Sequence, residues 1–514
     1  MTRPVRLYRK FFTVGSWTIL SRITGFLRDI IIAALFGSGP IAEAFQVAFS
    51  LPNLFRRLFA EGTVNTAFVP IFARKVRQKE RPEAFARDVF SGLTGFLIAL
   101  TLIAQAAMPW LVLAMASGFR GDGRFDLAVD FGRICFPYIL FIALAALLGG
   151  ILNAFGRFAA AAAAPVLLNL VLIGAMALAI WAGFDPGTAL AWGVPVAGLA
   201  QFLLLLEAAR RAGFRPVPCW PRLTPDIRRL AVVAVPAILA GGVVQVNLLV
   251  GRQVASHFDG AIQWLAVADR LYQLPLGVVG ISIGVVLLPD LSKRLAGGDV
   301  DGAREAFNRA NEFALALTLP AALALIVIPL PLVSVLFERG AFTRADSLAT
   351  AAALAIYGAG LPAFVLQKTL QPLFFAREDT RTPFRHAFVA MLANAVIAIG
   401  LIPVAGYLSA AFGTTLSSWL MVLLLWRSSR RFGESARFDE RLRAVVPRAG
   451  LAAVVMAAVV FGIGTALESA LITPGFRYVA LALLIGAGAA AYFGAAILLR
   501  AISISNLRSH LSGG

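Results

Sequence analysis

Charged residues are scarce in this sequence, at 14% of 514 residues, whereas 59% are hydrophobic. That balance excludes an ordinary soluble protein and predicts a chain built from membrane-spanning helices. Cysteine and histidine are also rare, with two and three copies, which excludes a disulfide framework and a Cys/His metal cluster. The sequence has no G-x-x-x-x-G-K-[ST] pattern and no loop long enough for a soluble domain, which argues against an ATP-driven pump.

Apolar stretches of about 20 residues recur along the whole chain and predict an all-α polytopic protein with about fourteen spans. The spans are predicted near residues 11–36, 41–73, 88–116, 127–154, 160–183, 187–209, 230–256, 261–291, 310–337, 346–376, 385–406, 408–426, 449–467 and 478–500.

Arginine and lysine are concentrated in alternate connections between these spans. The basic segments are the N-terminus, 74–87, 210–229, 293–309, 377–385 and 427–448. The positive-inside rule therefore predicts that both termini are cytoplasmic. Because the net charge of +19 comes mostly from these loops, it does not indicate nucleic-acid binding.

A weak internal repeat is visible in the apolar part of the chain. Pro137 and Asn169 are separated by 32 residues, as are Pro362 and Asn394, and the segments 68–74 and 287–294 resemble each other. These pairs imply a duplication of about 220 residues that includes about six spans. Because an even number of spans separates equivalent positions, equivalent helices of the two halves cross the membrane in the same direction. The halves are therefore predicted to be parallel and related by a pseudo-twofold axis along the membrane normal.

The first two predicted spans contain charges that lipid would not tolerate. A charge near the bilayer centre costs roughly 2.5–3.5 kcal/mol on insertion scales, so such side chains usually face a bundle interior or a water-filled cavity. The charged residues of the first two predicted spans are Arg22, Arg28, Asp29, Glu43, Arg56, Arg57 and Glu61. Helical spacing puts Arg22 and Asp29 on one face and Arg28 roughly 120° away.

Five of these charges have a structural interpretation beside the functional one. Either arginine of the first span can pair with Asp29, and the four-residue spacing of Arg57 and Glu61 favours an intrahelical ion pair. Arg56 has no local acidic partner at that spacing and is the better ligand candidate. In the second half, Asp269 and Arg270 open a matching span, and Arg270 would add a further positive charge.

Arginines at membrane depth indicate a phosphate or pyrophosphate ligand. A planar guanidinium contacts phosphate oxygens in pairs and stays charged when partly desolvated. The buried groups contain no nucleophile–base set and no metal cluster, so the sequence predicts a transporter rather than an enzyme, with no cofactor and no metal.

Several motifs together resemble the MurJ/MviN family of bacterial lipid II flippases, within the MOP exporter superfamily. The motifs are SRITGFLRD, EAFQVAFSLPNLFRRLFAEG, TAFVP, ADRLYQLPLGVVG, LFERGAF and FFAREDTRTP. The resemblance implies a six-helix lobe at 1–212, a second at 213–432, and two extra helices at 433–514 that form a groove for the lipid tail.

The resemblance also implies the site residues and the substrate. It implies that Arg22, Arg28, Arg56 and Arg270 bind substrate in a cationic central cavity, while Asp29, Glu43, Arg57, Glu61, Asp269 and Gln273 supply supporting charge or gating. The substrate would be lipid II, the undecaprenyl-pyrophosphate-linked peptidoglycan precursor, moved across the bacterial inner membrane by alternating access. Other partners would be membrane lipids and the cell-wall synthesis machinery, and we expect a monomer.

The sequence departs from the family pattern at three places. Glu43 replaces an aspartate, Gln273 replaces a glutamate of some members, and Ala159 to Ala164 replaces a more varied segment. No acidic residue lies within 230–256 or 386–406, so membrane potential is favoured over sodium as the driving force.

Other functions stay open on the sequence alone. One alternative is a related exporter of another lipid-linked oligosaccharide, or of drugs, although a drug exporter would be expected to carry acidic cation sites. Another is a membrane enzyme acting on a polyprenyl phosphate, which would need clustered Asp, Glu and His. A third is a scaffold of the cell-wall machinery.

Overall fold

In the computed structural model the backbone is described for residues 3–57, 68–78, 80–214, 220 and 224–501. These residues form nineteen α-helices, and their β structure is limited to one bridge between Arg339 and Phe342. Ten helical segments in the described ranges are long and apolar enough to cross a membrane. The predicted all-α polytopic membrane protein is thereby confirmed, while the count of fourteen spans stays a prediction.

The chain divides into two compact units, Met1–Gln263 and Trp264–Gly514. The helices of the first unit are α1 (Arg3–Phe36), α2 (Pro40–Arg56), α3 (Val69–Gln78), α4 (Pro82–Met115), α5 (Gly123–Cys135), α6 (Tyr138–Ala154), α7 (Ala159–Ala182), α8 (Pro186–Arg211) and α9 (Pro225–Ala255).

The second unit begins within α10 (Ala261–Ala296). It continues through α11 (Val300–Val327), α12 (Pro329–Phe337), α13 (Arg344–Phe375), α14 (Arg381–Gly400), α15 (Ile402–Ala405), α16 (Leu408–Ser429), α17 (Glu440–Ala466), α18 (Glu468–Ile472) and α19 (Arg477–Leu498). The division into 1–212, 213–432 and 433–514 stays a prediction.

Proline divides two of the predicted spans into helix pairs. The stretch predicted at 127–154 consists of α5 and α6, which meet at Pro137, the residue before the first turn of α6. The stretch predicted at 310–337 consists of α11 and α12, and Pro329 is the first residue of α12. Proline lacks an N–H and disfavours helix in the residue before it, so each break occurs where the sequence places a proline.

The helices of the first unit differ in how far they are enclosed. In α6 the side chains of Leu147, Leu148 and Ile151 are fully buried. In α4, by contrast, Leu102 and Trp110 are 66% and 70% exposed. Such large apolar side chains on the outside of a membrane protein face lipid, so α6 belongs to the interior of its unit and α4 to the periphery.

Two apolar cores hold the second unit together. One core joins α10, α11, α13 and α16 around Phe307, Leu373 and Leu425. The other packs α17 and α19 against α11 and α12, with Met456 and Leu484 among its buried members. The last helix pair is therefore fastened to the unit through α11 and α12.

Candidate functional site

Arg28 is a buried arginine in the C-terminal part of α1, with 7% of the residue exposed. Its Nε and Nη2 donate to Oδ1 of Asp29 at 3.0 and 2.7 Å, and its Nη1 donates to Oδ1 of Asn169 at 2.9 Å. One carboxylate and one amide therefore hold this charge in a fixed orientation.

Asn169 fixes the position of α1 against α7. Its Nδ2 donates to the Ser21 carbonyl at 3.1 Å and to the Thr24 hydroxyl at 3.2 Å. A Cβ at Gly25 would lie 3.2 Å from the same nitrogen. The glycine thus gives the amide room to approach the helix that carries Arg28.

The second helix brings an aromatic side chain and another arginine to the same region. The guanidinium carbon of Arg28 lies 6.0 Å from the ring centre of Phe49, which in turn lies 6.3 Å from the ring of Tyr138. One turn further along α2, Asn53 Oδ1 accepts a 3.1 Å hydrogen bond from Nε of Arg56.

Tyr138, at the start of α6, lies within the electrostatic reach of both Arg28 and Arg56. The residue is 1% exposed, and its hydroxyl donates to Gln201 of α8 at 3.3 Å. Gln201 then donates to the Ala164 carbonyl of α7 at 2.6 Å. We call Arg28, Asp29, Arg56, Tyr138 and Asn169 the arginine cluster; four helices of the first unit contribute to it.

The remaining predicted charges of the first two spans are placed differently. Arg22 and Arg57 are exposed side chains on α1 and directly after α2. Glu61 lies outside the described residues, so its predicted ion pair with Arg57 stays a prediction.

Glu43 belongs to a second group of charges at the start of α2. The residue is 1% exposed, and its Oε2 accepts a 2.9 Å ion pair from Nη1 of Arg124 on α5. Its Oε1 accepts from the Ile262 backbone N–H at 3.1 Å. The carboxylate therefore joins the starts of α2 and α5 to the first turn of α10, within the first unit.

Arg124 is shared among three carboxylates. Besides Glu43, its Nε contacts Asp122 at 2.5 Å and its Nη2 contacts Asp259 at 2.9 Å. We call Glu43, Asp122, Arg124 and Asp259 the outer ion-pair cluster, because the loop charges predict that this end faces outward.

Two further contacts fix the outer ion-pair cluster. The Arg124 backbone N–H donates to Asp122 and lowers the pKa of that carboxyl below its ordinary value, despite some opposition from burial. The Phe119 ring lies 4.6 Å from the guanidinium carbon of Arg124. Asp122 consequently stays ionised at neutral pH.

In the second unit, Asp269 is surrounded by hydroxyl and amide groups. It is hydrogen-bonded to Tyr272 and accepts from Nε2 of Gln273, one helical turn away on α10. The Tyr272 ring packs 5.0 Å from Tyr357 of α13. Arg270, which directly follows Asp269 in the sequence, is half-buried.

Sequence reasoning missed Tyr138, Gln201 and Arg124 as site residues. It noted Asn169 only as a mark of the repeat, although a lone amide within an apolar helix is itself a signal of a polar contact. Arg124 is the second residue of α5, in a stretch that the sequence predicts to be a loop of nearly balanced charge, so its burial had no local signal.

The described residues contain no group of three or more His, Cys, Asp and Glu placed to hold a metal ion. The two clusters offer fixed charges and hydrogen-bonding groups.

Comparison with solved structures identifies the fold. A structure described as "Lipid II flippase MurJ, inward closed conformation" aligns with a TM-score of 0.81 and 24% identity, covering 95% of this chain and 98% of its own. An inward-facing multidrug transporter of the MATE family, in the MOP superfamily, aligns with a TM-score of 0.65 and 15% identity, covering 83% and 98%. The chain therefore has the fold of these membrane transporters.

Sequence comparison identifies the family. The family model described as "Lipid II flippase MurJ" matches residues 32–501. A probable lipid II flippase MurJ from Rhizobium meliloti (strain 1021) is 43% identical over 99% of this chain and 97% of its own length. Lipid II flippase MurJ from Burkholderia cenocepacia is 36% identical over 84% and 85%. The chain therefore belongs to the MurJ family of membrane transporters.

Proposed function

We propose that this chain is a flippase that moves lipid II from the cytoplasmic to the outer leaflet of the bacterial inner membrane. The observation that carries the proposal is the buried Arg28, held by Asp29 and Asn169 beside a second arginine, Arg56. Family membership supports the substrate class, and the arginine cluster supplies a reason for its recognition.

The donors of Arg28 suit a phosphate group. A guanidinium has five N–H donors, and the described contacts of Arg28 use three of them, one on each nitrogen. One N–H on each terminal nitrogen remains, which is the number that a two-point contact with phosphate oxygens needs. Asp29 and Asn169 hold the group so that little ordering is required when the ligand binds.

Arg56 would complete the recognition of a pyrophosphate. Lipid II carries two linked phosphates, and a second guanidinium near the same tyrosine allows both to be neutralised. Arg22 lies on the exposed part of α1 and would attract the headgroup before it reaches the buried arginine.

We assign a further phosphate contact to Arg270 in the second unit. Asp269, Tyr272 and Gln273 form a hydrogen-bonded group next to it on α10. In this proposal they orient the backbone and side chains around Arg270 and set the local charge.

The outer ion-pair cluster would close the outer side while the headgroup is bound. Glu43 and Asp259 lie on different segments that Arg124 joins, so separating these segments requires breaking the buried Arg124–Glu43 ion pair and the exposed Arg124–Asp259 pair. We propose alternating access in which this cluster forms in the state open to the cytoplasm and opens for release.

The experiment measures lipid II exposed on the outer leaflet of cells depleted of their own flippase. The cells would express this chain, the Arg28→Ala variant, or the Arg57→Ala variant as a matched control that removes the same charge from an exposed site. We expect exposure with the chain and with Arg57→Ala, and loss of exposure with Arg28→Ala.

Two outcomes would contradict parts of the proposal. If the inserted wild-type chain failed to expose lipid II, the substrate would be wrong, and a related lipid-linked oligosaccharide would be the next candidate. If Arg28→Ala restored exposure as well as the wild type, the substrate would stand and the arginine cluster would lose its role.

A further inference from the structure

A cavity of about 670 Å³ lies in the first unit, apart from both charge clusters. It is formed where the start of α1, the turn between α6 and α7, and the end of α8 meet. Its volume falls within the range of typical small-molecule sites, roughly 300–1,000 Å³. The basic loops predict that this end of the unit faces the cytoplasm.

The rim of the cavity is charged. Arg157, Glu207 and Arg211 contribute two positive charges and one negative charge to it. Nη1 of Arg157 donates to the Arg211 carbonyl at 3.1 Å, and Nε of Arg211 pairs with Glu207 at 2.7 Å. These bonds join Arg157 and Arg211 to groups at the end of α8 and leave both guanidinium groups with further N–H donors.

The body of the cavity is apolar. Below the charged rim it is lined by Leu152, Phe158 and Leu204, together with small residues of α7 and α8. Apart from Thr13, these walls are apolar, so a free phosphate ion or a polar metabolite would find few partners there. A ligand that fits both parts has an anionic head and a hydrocarbon body.

The alanine run at the start of α7 provides the space. Ala159 and Ala160 line the cavity, and they begin the run Ala159 to Ala164. A longer side chain at either position would project into the volume. The volume of the cavity therefore depends on small side chains at these two positions.

We propose that this cavity binds a phospholipid with an anionic headgroup from the cytoplasmic leaflet. Arg157 and Arg211 would contact the phosphate, and the apolar walls would receive part of an acyl chain. Basic pockets between membrane helices on the cytoplasmic side are suited to anionic headgroups, and the rim has a net charge of one positive unit. The inference is independent of the proposed transport function.

Native mass spectrometry of the purified full chain tests the proposal by titration with phosphatidylglycerol and, separately, phosphatidylcholine. Arg211→Gln is compared with Arg210→Gln, which removes the same charge one residue away and outside the cavity lining. We expect Arg211→Gln to weaken the first phosphatidylglycerol-binding event about tenfold and Arg210→Gln less than twofold. Equal losses in both variants, or equal binding of the two lipids by the wild type, would overturn the proposal.

A second pair of variants tests the cavity rather than the charge. Ala160→Leu fills the volume, whereas Ala163→Leu enlarges a residue of the same run that does not line it. Among variants that keep the melting temperature of the wild type, we expect only Ala160→Leu to lose phosphatidylglycerol binding. Full binding by a folded Ala160→Leu chain would contradict the site.

Discussion

Two buried arginines of the first unit show how the same side chain can be used in opposite ways. Arg28 and Arg124 are 7% and 6% exposed. Arg124 contacts three carboxylates, those of Glu43, Asp122 and Asp259. Arg28 contacts the carboxylate of Asp29 and the neutral amide of Asn169.

The two arginines differ in the charge of their neighbours and in the N–H donors that remain for a ligand. The charge of Arg124 is more than balanced by its neighbours, so a further anion would meet repulsion there. Arg28 keeps donors on both terminal nitrogens, and its second partner is the neutral amide of Asn169, where a second acid would give the group a net negative charge. Burial alone therefore does not mark a ligand-binding arginine; the balance of charge around it does.

The largest loss of stability is expected from breaking the ion pairs of Arg124 in the outer ion-pair cluster. Arg124→Gln leaves Glu43 buried without its cation, and removal of one partner of a buried ion pair costs about 3–5 kcal/mol. We expect a loss of that size in the free energy of unfolding, measured by titration with denaturing detergent in mixed micelles. The double variant Glu43→Gln/Arg124→Gln should recover part of it, and simple addition of the two single losses would contradict direct coupling.

Compared with Arg124→Gln, Arg28→Ala should lower the free energy of unfolding less and weaken lipid II binding more. The hydrogen bonds from a charged donor are worth about 1.5–3 kcal/mol each, so loss of a two-point contact should lower lipid II affinity by at least about a hundredfold. Arg28→Lys should not restore it, because an ammonium lacks the planar pair of donors. Lipid II titration in nanodiscs measures the affinity, and full rescue by lysine would contradict a two-point contact.

Arg56 and Arg57 allow a ligand-binding arginine to be compared with a non-binding one at neighbouring positions of the same helix end. Arg56 is half-buried near Tyr138, whereas Arg57 is exposed. We expect Arg56→Ala to reduce lipid II exposure in depleted cells about tenfold and Arg57→Ala less than threefold. The reverse order would mean that the ligand-binding arginine had been assigned to the wrong position.

The smallest effect is expected at the edge of the outer ion-pair cluster. The side chain of Asp122 is 38% exposed, compared with 1% for Glu43. Solvent screens such a pair, so Asp122→Asn should cost less than about 1 kcal/mol of unfolding free energy. A cost equal to that of Glu43→Gln, in the same detergent titration, would show that burial does not set the strength of these ion pairs.

Local sequence features indicated the arginine cluster better than the outer ion-pair cluster. Arg28, Asp29 and Arg56 were recognised because charge within an apolar span is costly, a property that the sequence displays directly. The partner of Arg28, Asn169, comes from a helix 141 residues later, and only folding brings it to α1. The sequence therefore revealed the charge but not the group that orients it.

The outer ion-pair cluster could not be predicted for the same reason. Asp122 precedes α5 and Arg124 is its second residue, in a stretch that the sequence predicts to be a short loop of balanced charge, which is ordinarily solvated. Glu43, 81 residues earlier, meets Arg124 because α2 packs along α5. Proline positions were more informative locally, since Pro137 and Pro329 divide predicted spans where the structure has breaks.

The central claim is that Arg28 contacts the pyrophosphate of the substrate. The most direct test compares lipid II with an analogue that joins the same disaccharide-pentapeptide to the same lipid through a single phosphate, using the wild type and Arg28→Ala in nanodiscs. We predict that the wild type binds lipid II about tenfold more tightly than the analogue and that Arg28→Ala binds both alike. An unchanged preference in Arg28→Ala would contradict the claim.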